Sequence, residues 1–283
     1  MGDLWILLLS SIIAISCSLI GLILVLKRMA MLSDAISHSV LPGIVISYLI
    51  IGEMDYSFFT IAAIATAIVS TLLIEGVSRL ANYRKDISMG IVYTLLFSIG
   101  VILLTKHQDT VPIQSDHVIQ GNLEMVPLEP MWIINDAYLM GPYSMWNGII
   151  NLVLVALFIG VFSKQIKIWC FDAGYANSLG MNTKLLSLIL MVLTSFTVVS
   201  SFSSIGAILV IGFIVIPPST AIILSNSFKS AIWISVAISV ASCILGLYAA
   251  KFFDVSIAGM ICLVMSLIFL LVFSYTRILK FSS

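Results

Sequence analysis

The chain of 283 residues is 61% hydrophobic and 9% charged, with zero formal net charge and a mean hydropathy of +1.19. A soluble domain carries roughly a quarter charged residues, so this composition excludes one and indicates an integral membrane protein. No basic tract occurs, and no stretch interleaves basic with aromatic residues, so a nucleic-acid partner is not expected.

Apolar runs of about 20 residues recur from end to end, each long enough to cross roughly 30 Å of hydrocarbon as a helix. They lack the period-two alternation of a membrane barrel. The expected fold is therefore all-α, a polytopic bundle of eight to nine transmembrane helices in a single domain over 1–283. The opening MGDLWILLLS has an acid at Asp3 and no basic segment before the apolar run, so it reads as a first helix rather than a cleaved signal.

The first span is expected at Leu4 to Leu26, closed by Lys27 and Arg28. The second, Ser33 to Ile51, contains Asp34, His38 and then Pro42-Gly43. A turn with Glu53 and Asp55 leads to a third span, Ser57 to Val77, and charged residues from Arg79 to Asp86 precede a fourth, Ile87 to Thr105. The longest polar stretch follows, Lys106 to Tyr143. The fifth span is Met145 to Ser163, with Lys164, Lys167 and Lys184 in the loop after it. Spans six and seven, Leu185 to Val199 and Ile205 to Leu224, are separated by the serine-rich Ser200 to Ser204. Ala231 to Ala250 and Ser256 to Ser274 complete the set, and Arg277 and Lys280 lie beyond it.

Alternate connections hold Lys27, Arg28, Arg79, Arg84, Lys85, Lys164, Lys167, Lys184, Lys229, Arg277 and Lys280, whereas the opposite side keeps Lys106 and Lys251. Basic residues stay cytoplasmic, which places the N-terminus outside and the C-terminus inside. Cys17, Cys170, Cys243 and Cys262 form no CxxC pair and read as small hydrophobes rather than a disulfide or zinc framework.

Two features bear on chemistry. Asp34 and His38 are four residues apart, so one helix face carries both, and a carboxylate oxygen beside an imidazole nitrogen suits a divalent transition metal. Ionisable groups at membrane depth are costly and mark functional positions; the bland alternative is a helix-end acid beside a packed histidine. Glu75 stands four residues before Arg79 and reads as its ion-pair partner. In the outer loop His107, Asp109, Asp116 and His117 read as a solvated acidic segment, with transient metal capture as the second reading.

The stretch LKRMAMLSDAISHSVLPG, Leu26 to Gly43, resembles the membrane permeases of ABC importers for manganese, zinc and iron. FDAGYANSLGM, Phe171 to Met181, and IGAILVIGFIVIPPSTA, Ile205 to Ala221, match the same family, as does DHVIQGN, Asp116 to Asn122. The outer loop is longer than in many zinc permeases and looks more like the manganese and iron branch. The resemblance implies a type II ABC importer-like fold in a bacterial cytoplasmic membrane, with Asp34 and His38 as ligands of a transported metal and no resident cofactor. It implies a two-fold pair, with a second copy or a paralogous permease, an extracytoplasmic metal-binding protein and a separate ABC ATPase. No GxxxxGK[ST] stretch occurs, so ATP hydrolysis must come from that separate chain. The segments expected to contact it are Asp172, Ala176 and Gly180, and a short surface helix after Pro217 and Pro218 with Ser219 and Lys229. A plain span end is the other meaning of the proline pair. An ion-gradient transporter working through Asp34 and Glu75 is the runner-up, although no internal repeat supports it. An intramembrane metalloprotease would need a zinc-ligating HExxH, which is missing.

Overall fold

The computed structural model describes residues 2–51, 56–81, 83–107, 123–128, 131–134 and 138–282. In chain order the helices are α1 (Gly2–Leu26), α2 (Leu32–Ser39), α3 (Leu41–Ile51), α4 (Tyr56–Leu80) and α5 (Lys85–Lys106). A 3-10 turn at Leu123–Leu128 and a hairpin of β1 (Met131–Ile134) and β2 (Tyr138–Pro142) follow, the strands antiparallel with Ile134 opposite Tyr138. Then come α6 (Tyr143–Phe171), α7 (Ala173–Ser178), α8 (Thr183–Ile205), α9 (Ala207–Leu224), α10 (Phe228–Phe253) and α11 (Ile257–Ser282). Among the described residues 9 candidate spans are long and apolar enough to cross a membrane, with α2 and α3 counted as one. The all-α bundle is as expected, with a small hairpin added in the connection between α5 and α6.

α1 is the hub. It packs on α6, α9 and α10 and also touches α8, while α2 and α4 pack on α8 and α3 and α5 pack against them. Leu9, Ile13, Cys17, Ile20 and Leu24 are fully or almost fully buried, a stripe at helical spacing that faces the middle of the bundle. Between helices in lipid the hydrophobic effect gives no net drive, so close packing and small residues decide association.

The proline pair behaves differently from expectation. α9 runs helical through Pro217 and Pro218 to Leu224, and no separate surface helix follows; Ser225 to Ser227 is a short connection and Lys229 already belongs to α10. Each proline lacks the N–H that would serve the carbonyl four residues earlier, which frees those of Phe213 and Ile214. The Ile214 carbonyl occupies the place a Cβ on Gly21 would take, so α1 covers it at backbone contact, within reach of a weak Cα–H···O interaction. One turn on, the Ser219 hydroxyl donates to the Val215 carbonyl at 2.6 Å and Thr220 to Ile216 at 2.8 Å. The α1 backbone at Gly21 thus covers one carbonyl that the prolines free, while the two hydroxyls add bonds to the next carbonyls along the same turn.

Two other boundaries shift. Ser200 to Ser204 is not a loop: α8 continues through it, with Ser200 bonding back to the Thr197 carbonyl at 3.2 Å. The break falls at Gly206, whose φ of 80° is open to glycine, and its N–H closes the helix on the Phe202 carbonyl at 2.9 Å. The fifth span runs on to Phe171 instead of ending at Ser163, so Lys164 and Lys167 are helical rather than in a loop. Those extra turns bury Ile166 and Trp169 and leave both lysines exposed, an amphipathic extension of the apolar span.

Contacts group the helix ends as alternate crossings demand. At one end Asp3 pairs with Lys251, and the Glu124 carboxylate accepts from the Ile257 N–H at 3.3 Å, capping α11. At the other, Lys27 donates to the Trp169 carbonyl at 3.0 Å and lies 4.4 Å over its ring, satisfying an orphan carbonyl at the α6 C-terminus. Lys27 sits just beyond its span, and burial pushes its ammonium below the usual lysine range, with Lys85 adding to the effect against an opposing contribution from Cys170.

The α1–α9 contact yields a stability prediction. Gly21→Ala places a methyl on the Ile214 carbonyl and should destabilise by about 1–3 kcal/mol, as overpacking does. Gly76→Ala, where no atom lies within 4 Å of the new methyl, should be neutral or mildly stabilising. Thermal unfolding of both variants in detergent measures the difference; equal midpoints would mean that α1 and α9 separate at no cost.

Candidate functional site

The acid–imidazole pair sits on the shortest piece of a broken span. Arg28, at φ 57°, reverses the chain after α1, and the Met29 carbonyl accepts from the Leu32 N–H at 3.0 Å to start α2. α2 ends at Val40 because Pro42 has no N–H to offer the His38 carbonyl. The turn tightens instead, with the Gly43 and Ile44 N–H groups both donating to the Val40 carbonyl at 3.0 and 3.2 Å. The span is therefore broken at Val40, one residue beyond the site-bearing helix.

Asp34 and His38 share a face as their spacing requires, with Oδ1 and Nε2 3.5 Å apart. Two ligand atoms each about 2.1 Å from one tetrahedral ion stand about 3.4 Å apart, so the pair already spans one edge of a coordination polyhedron. Their side chains are 32% and 49% exposed, turned away from the core of the protomer. Among the described residues no group of three or more His, Cys, Asp or Glu comes together, so this chain alone supplies two ligands.

α5 stands beside the pair. The His38 ring lies 5.9 Å from that of Tyr93, tilted at 36°, and 5.5 Å from that of Phe97, edge-on at 79°. Tyr93 and Phe97 come two to three turns after Lys85 at the start of α5, about 12–18 Å along its axis. That depth is mid-hydrocarbon in a layer of about 30 Å. Nothing in the sequence signalled this contact, since aromatic residues are common in any apolar span.

Glu75 pairs with Arg79 at 2.9 Å, as its spacing implied, and also with Lys85 at 3.2 Å. Lys85 in turn donates to the Ser187 hydroxyl at 2.7 Å, tying α4, α5 and α8 together at one end of the bundle. A carboxylate held by two cations supports the structural reading of Glu75 over that of a coupling-ion carrier. His107 ends α5, with a ring nitrogen 3.1 Å from the Leu103 carbonyl. Asp109, Asp116 and His117, with the rest of DHVIQGN, lie outside the described residues.

The segments expected to meet an ATPase converge at the Lys27 end. Asp172 caps α7 by accepting from the Tyr175 N–H at 2.8 Å, Ala176 is buried beneath the turn, and Gly180 leaves it at φ 76°. Tyr175 and Leu179 stay exposed. A cleft of about 150 Å³ beside them is lined by Leu26, Phe171, Ile222, Asn226 and Phe228, joining the ends of α1 and α6 to the α9–α10 connection. Lys229 is exposed next to that cleft, whereas Pro217 and Pro218 are buried inside α9 and Ser219 is partly buried. The proline pair therefore shapes α9 rather than presenting a surface.

The sequence matches the profile of the ABC 3 transport family over residues 4–276. This chain belongs to that family. It is 35% identical over 255 residues to the manganese transport system membrane protein MntD of Bacillus subtilis, covering 90% of this chain and 85% of that protein. It is 30% identical to a protein described as a probable iron transport system membrane protein in Haemophilus influenzae (94% and 91% covered) and to the zinc transport system membrane protein TroD of Treponema pallidum (95% and 72%). Among solved structures, PsaBC from Streptococcus pneumoniae in complex with Fab superposes with a TM-score of 0.76 at 26% identity, covering 99% of this chain and 94% of that one. As a member of the ABC 3 transport family the chain is a multi-pass membrane permease subunit, a component of transport and not itself an enzyme.

The Glu75 tie gives an ordering of effects. Lys85→Ala leaves a largely buried carboxylate with one partner and empties the Ser187 contact, so it should cost about 1–3 kcal/mol, below the loss from breaking a fully buried pair. Arg79, 49% exposed, should cost under about 1 kcal/mol when changed to alanine. Unfolding midpoints of the two variants check the order, and a larger loss for Arg79→Ala would reverse it.

Proposed function

We propose that this permease carries a divalent transition metal, Mn2+, Zn2+ or Fe2+, inward across a bacterial cytoplasmic membrane, with Asp34 and His38 as its ligands. The observation that carries the reading is the 3.5 Å approach of Oδ1 and Nε2 on an exposed face at membrane depth. Relatives described as manganese, iron and zinc transport proteins support the cargo class without choosing among the three. A mixed oxygen and nitrogen set accepts all three ions, whereas Cu+ prefers sulfur.

Two ligands do not close a site, so a second permease, an identical copy or a paralogue, brings the matching pair across a two-fold axis. Four protein ligands then leave positions for water, which keeps the ion exchangeable. ATP hydrolysis belongs to a separate ABC ATPase seated against the Asp172–Met181 turn and the α9–α10 connection with Lys229. An extracytoplasmic metal-binding protein delivers the ion at the opposite end. The partition of basic residues favours the N-terminus outside and the C-terminus in the cytoplasm.

In proteoliposomes containing the importer, Asp34→Asn and His38→Ala should each abolish ATP-dependent uptake of Mn2+, Zn2+ and Fe2+ while the complex still assembles with its ATPase. Asp34→Asn keeps the side chain's size, and His38→Ala removes only the ring contacts with Tyr93 and Phe97 of α5, leaving the rest of the packing between helices in place. Uptake at the wild-type rate at limiting metal in both variants would make the pair structural.

A reporter joined after Lys280 should read as cytoplasmic and one inserted near Gln114 as external. On the cytoplasmic side a photocrosslinker at Tyr175 or Lys229 should capture the ATPase. Capture instead from the Lys251 end, or reversed reporters, would overturn the orientation and the contact together.

A further inference from the structure

The Asp34–His38 pair can grip an ion only while the imidazole presents Nε2 to the carboxylate, and α2 does little to hold it there. The helix has 8 residues, ends just past His38, and leaves that side chain 49% exposed. A half-turn about the Cβ–Cγ bond would put carbon where Nε2 now stands. The restraint comes from α5. Tyr93, Phe97 and Gly100 fall at i, i+4 and i+7, one stripe of that helix. At Gly100 an added Cβ would lie 2.9 Å from the Pro42 nitrogen and 3.0 Å from Leu41 Cγ, so α5 meets the α2–α3 break at backbone contact. That close approach brings the next two turns of the stripe to ring distance from His38, with Phe97 edge-on and Tyr93 tilted against it.

We propose that Tyr93 and Phe97 are positioning residues of the metal site: the two rings hold the His38 imidazole with Nε2 turned to Asp34 and close the α5 side of the ion to water. The inference rests on the metal-site reading of Asp34 and His38 and adds to it a second helix. Phe97 has no ligand atom, and the role assigned to Tyr93 belongs to its ring, not to its hydroxyl. Their part is to remove orientations of His38 that do not bind, as the groups around a metal-bound histidine generally do. Gly100 sets the distance at which they act.

The test is Mn2+ titration of the purified importer complex in competition with a chromophoric chelator. Tyr93→Leu and Phe97→Leu should each weaken Mn2+ binding about tenfold, the lower end of the loss when a ligand's supporting groups are removed. Tyr93→Phe and Phe97→Tyr, which keep the rings, should bind as the wild type does; a change confined to lipid packing would not separate ring-keeping from ring-removing variants. If a leucine variant fails to assemble, Phe97→Met replaces it with a flexible side chain of similar bulk and the same expected loss. Asp34→Asn and His38→Ala are measured alongside. Wild-type affinity in those two would overturn the metal-site reading and this inference with it. Loss in those two with wild-type affinity in the ring-removing variants would overturn the positioning role alone.

Discussion

Hydrocarbon offers no water to an unpaired carbonyl, and this constraint explains where the bundle breaks its own regularity and what stands beside each break. Pro218 frees the Ile214 carbonyl, and Gly21 lets α1 lie against it. The α6 C-terminus leaves the Trp169 carbonyl unpaired, and Lys27 reaches it from the end of α1. Gly206 stops α8 with its own N–H on Phe202. At Pro42 the helix closes on the Val40 carbonyl and α5 comes in at Gly100. The Ile214 and Trp169 carbonyls are met from α1, and the breaks at Gly206 and Val40 close as local turns. Helix α1 takes part in two of these repairs, which is why it is the hub.

The broad architecture was legible because membrane spans are set by composition and length, quantities that tertiary contacts barely alter. Asp34 with His38 and Glu75 with Arg79 were legible for a related reason: residues four apart on a helix meet whatever surrounds them. Misreadings came where local propensity was trusted over context. Pro217-Pro218 and Ser200 to Ser204 look like helix ends by the rules of water-exposed chains. Inside the bundle a freed carbonyl finds the next helix, and a serine bonds back to its own helix, so both stretches stay helical. Lys164 and Lys167 were misjudged similarly, because a lysine on the outer face of an amphipathic extension costs the helix nothing. The second partner of Glu75 and the wall beside His38 come from α5, and no pattern within one span reports which face a distant span will meet.

α5 links these two places. Its first residue, Lys85, is held by Glu75 of α4 and Ser187 of α8, and its middle turns meet the helix that carries Asp34 and His38. A shift of α5 along or about its axis would therefore move the His38 wall relative to Asp34 while working against the charged tie at its end. That is a mechanical connection between one end of the bundle and mid-membrane, formed by one rigid helix of 22 residues.

The half-site has an energetic consequence on the proposed reading. A carboxylate at membrane depth with one imidazole nearby is poorly compensated, because charge in a membrane is costly. Bringing a second pair alongside adds another carboxylate, so the empty dimer site concentrates negative charge until a divalent cation enters. The ion then relieves repulsion as well as filling ligand positions, and its binding is coupled to how closely the two half-sites approach. A conformational change that draws them apart removes ligands and restores water to the ion in one motion. A site divided between two chains can thus release its metal without protonating a ligand, which a closed site within one rigid chain has no simple way to do.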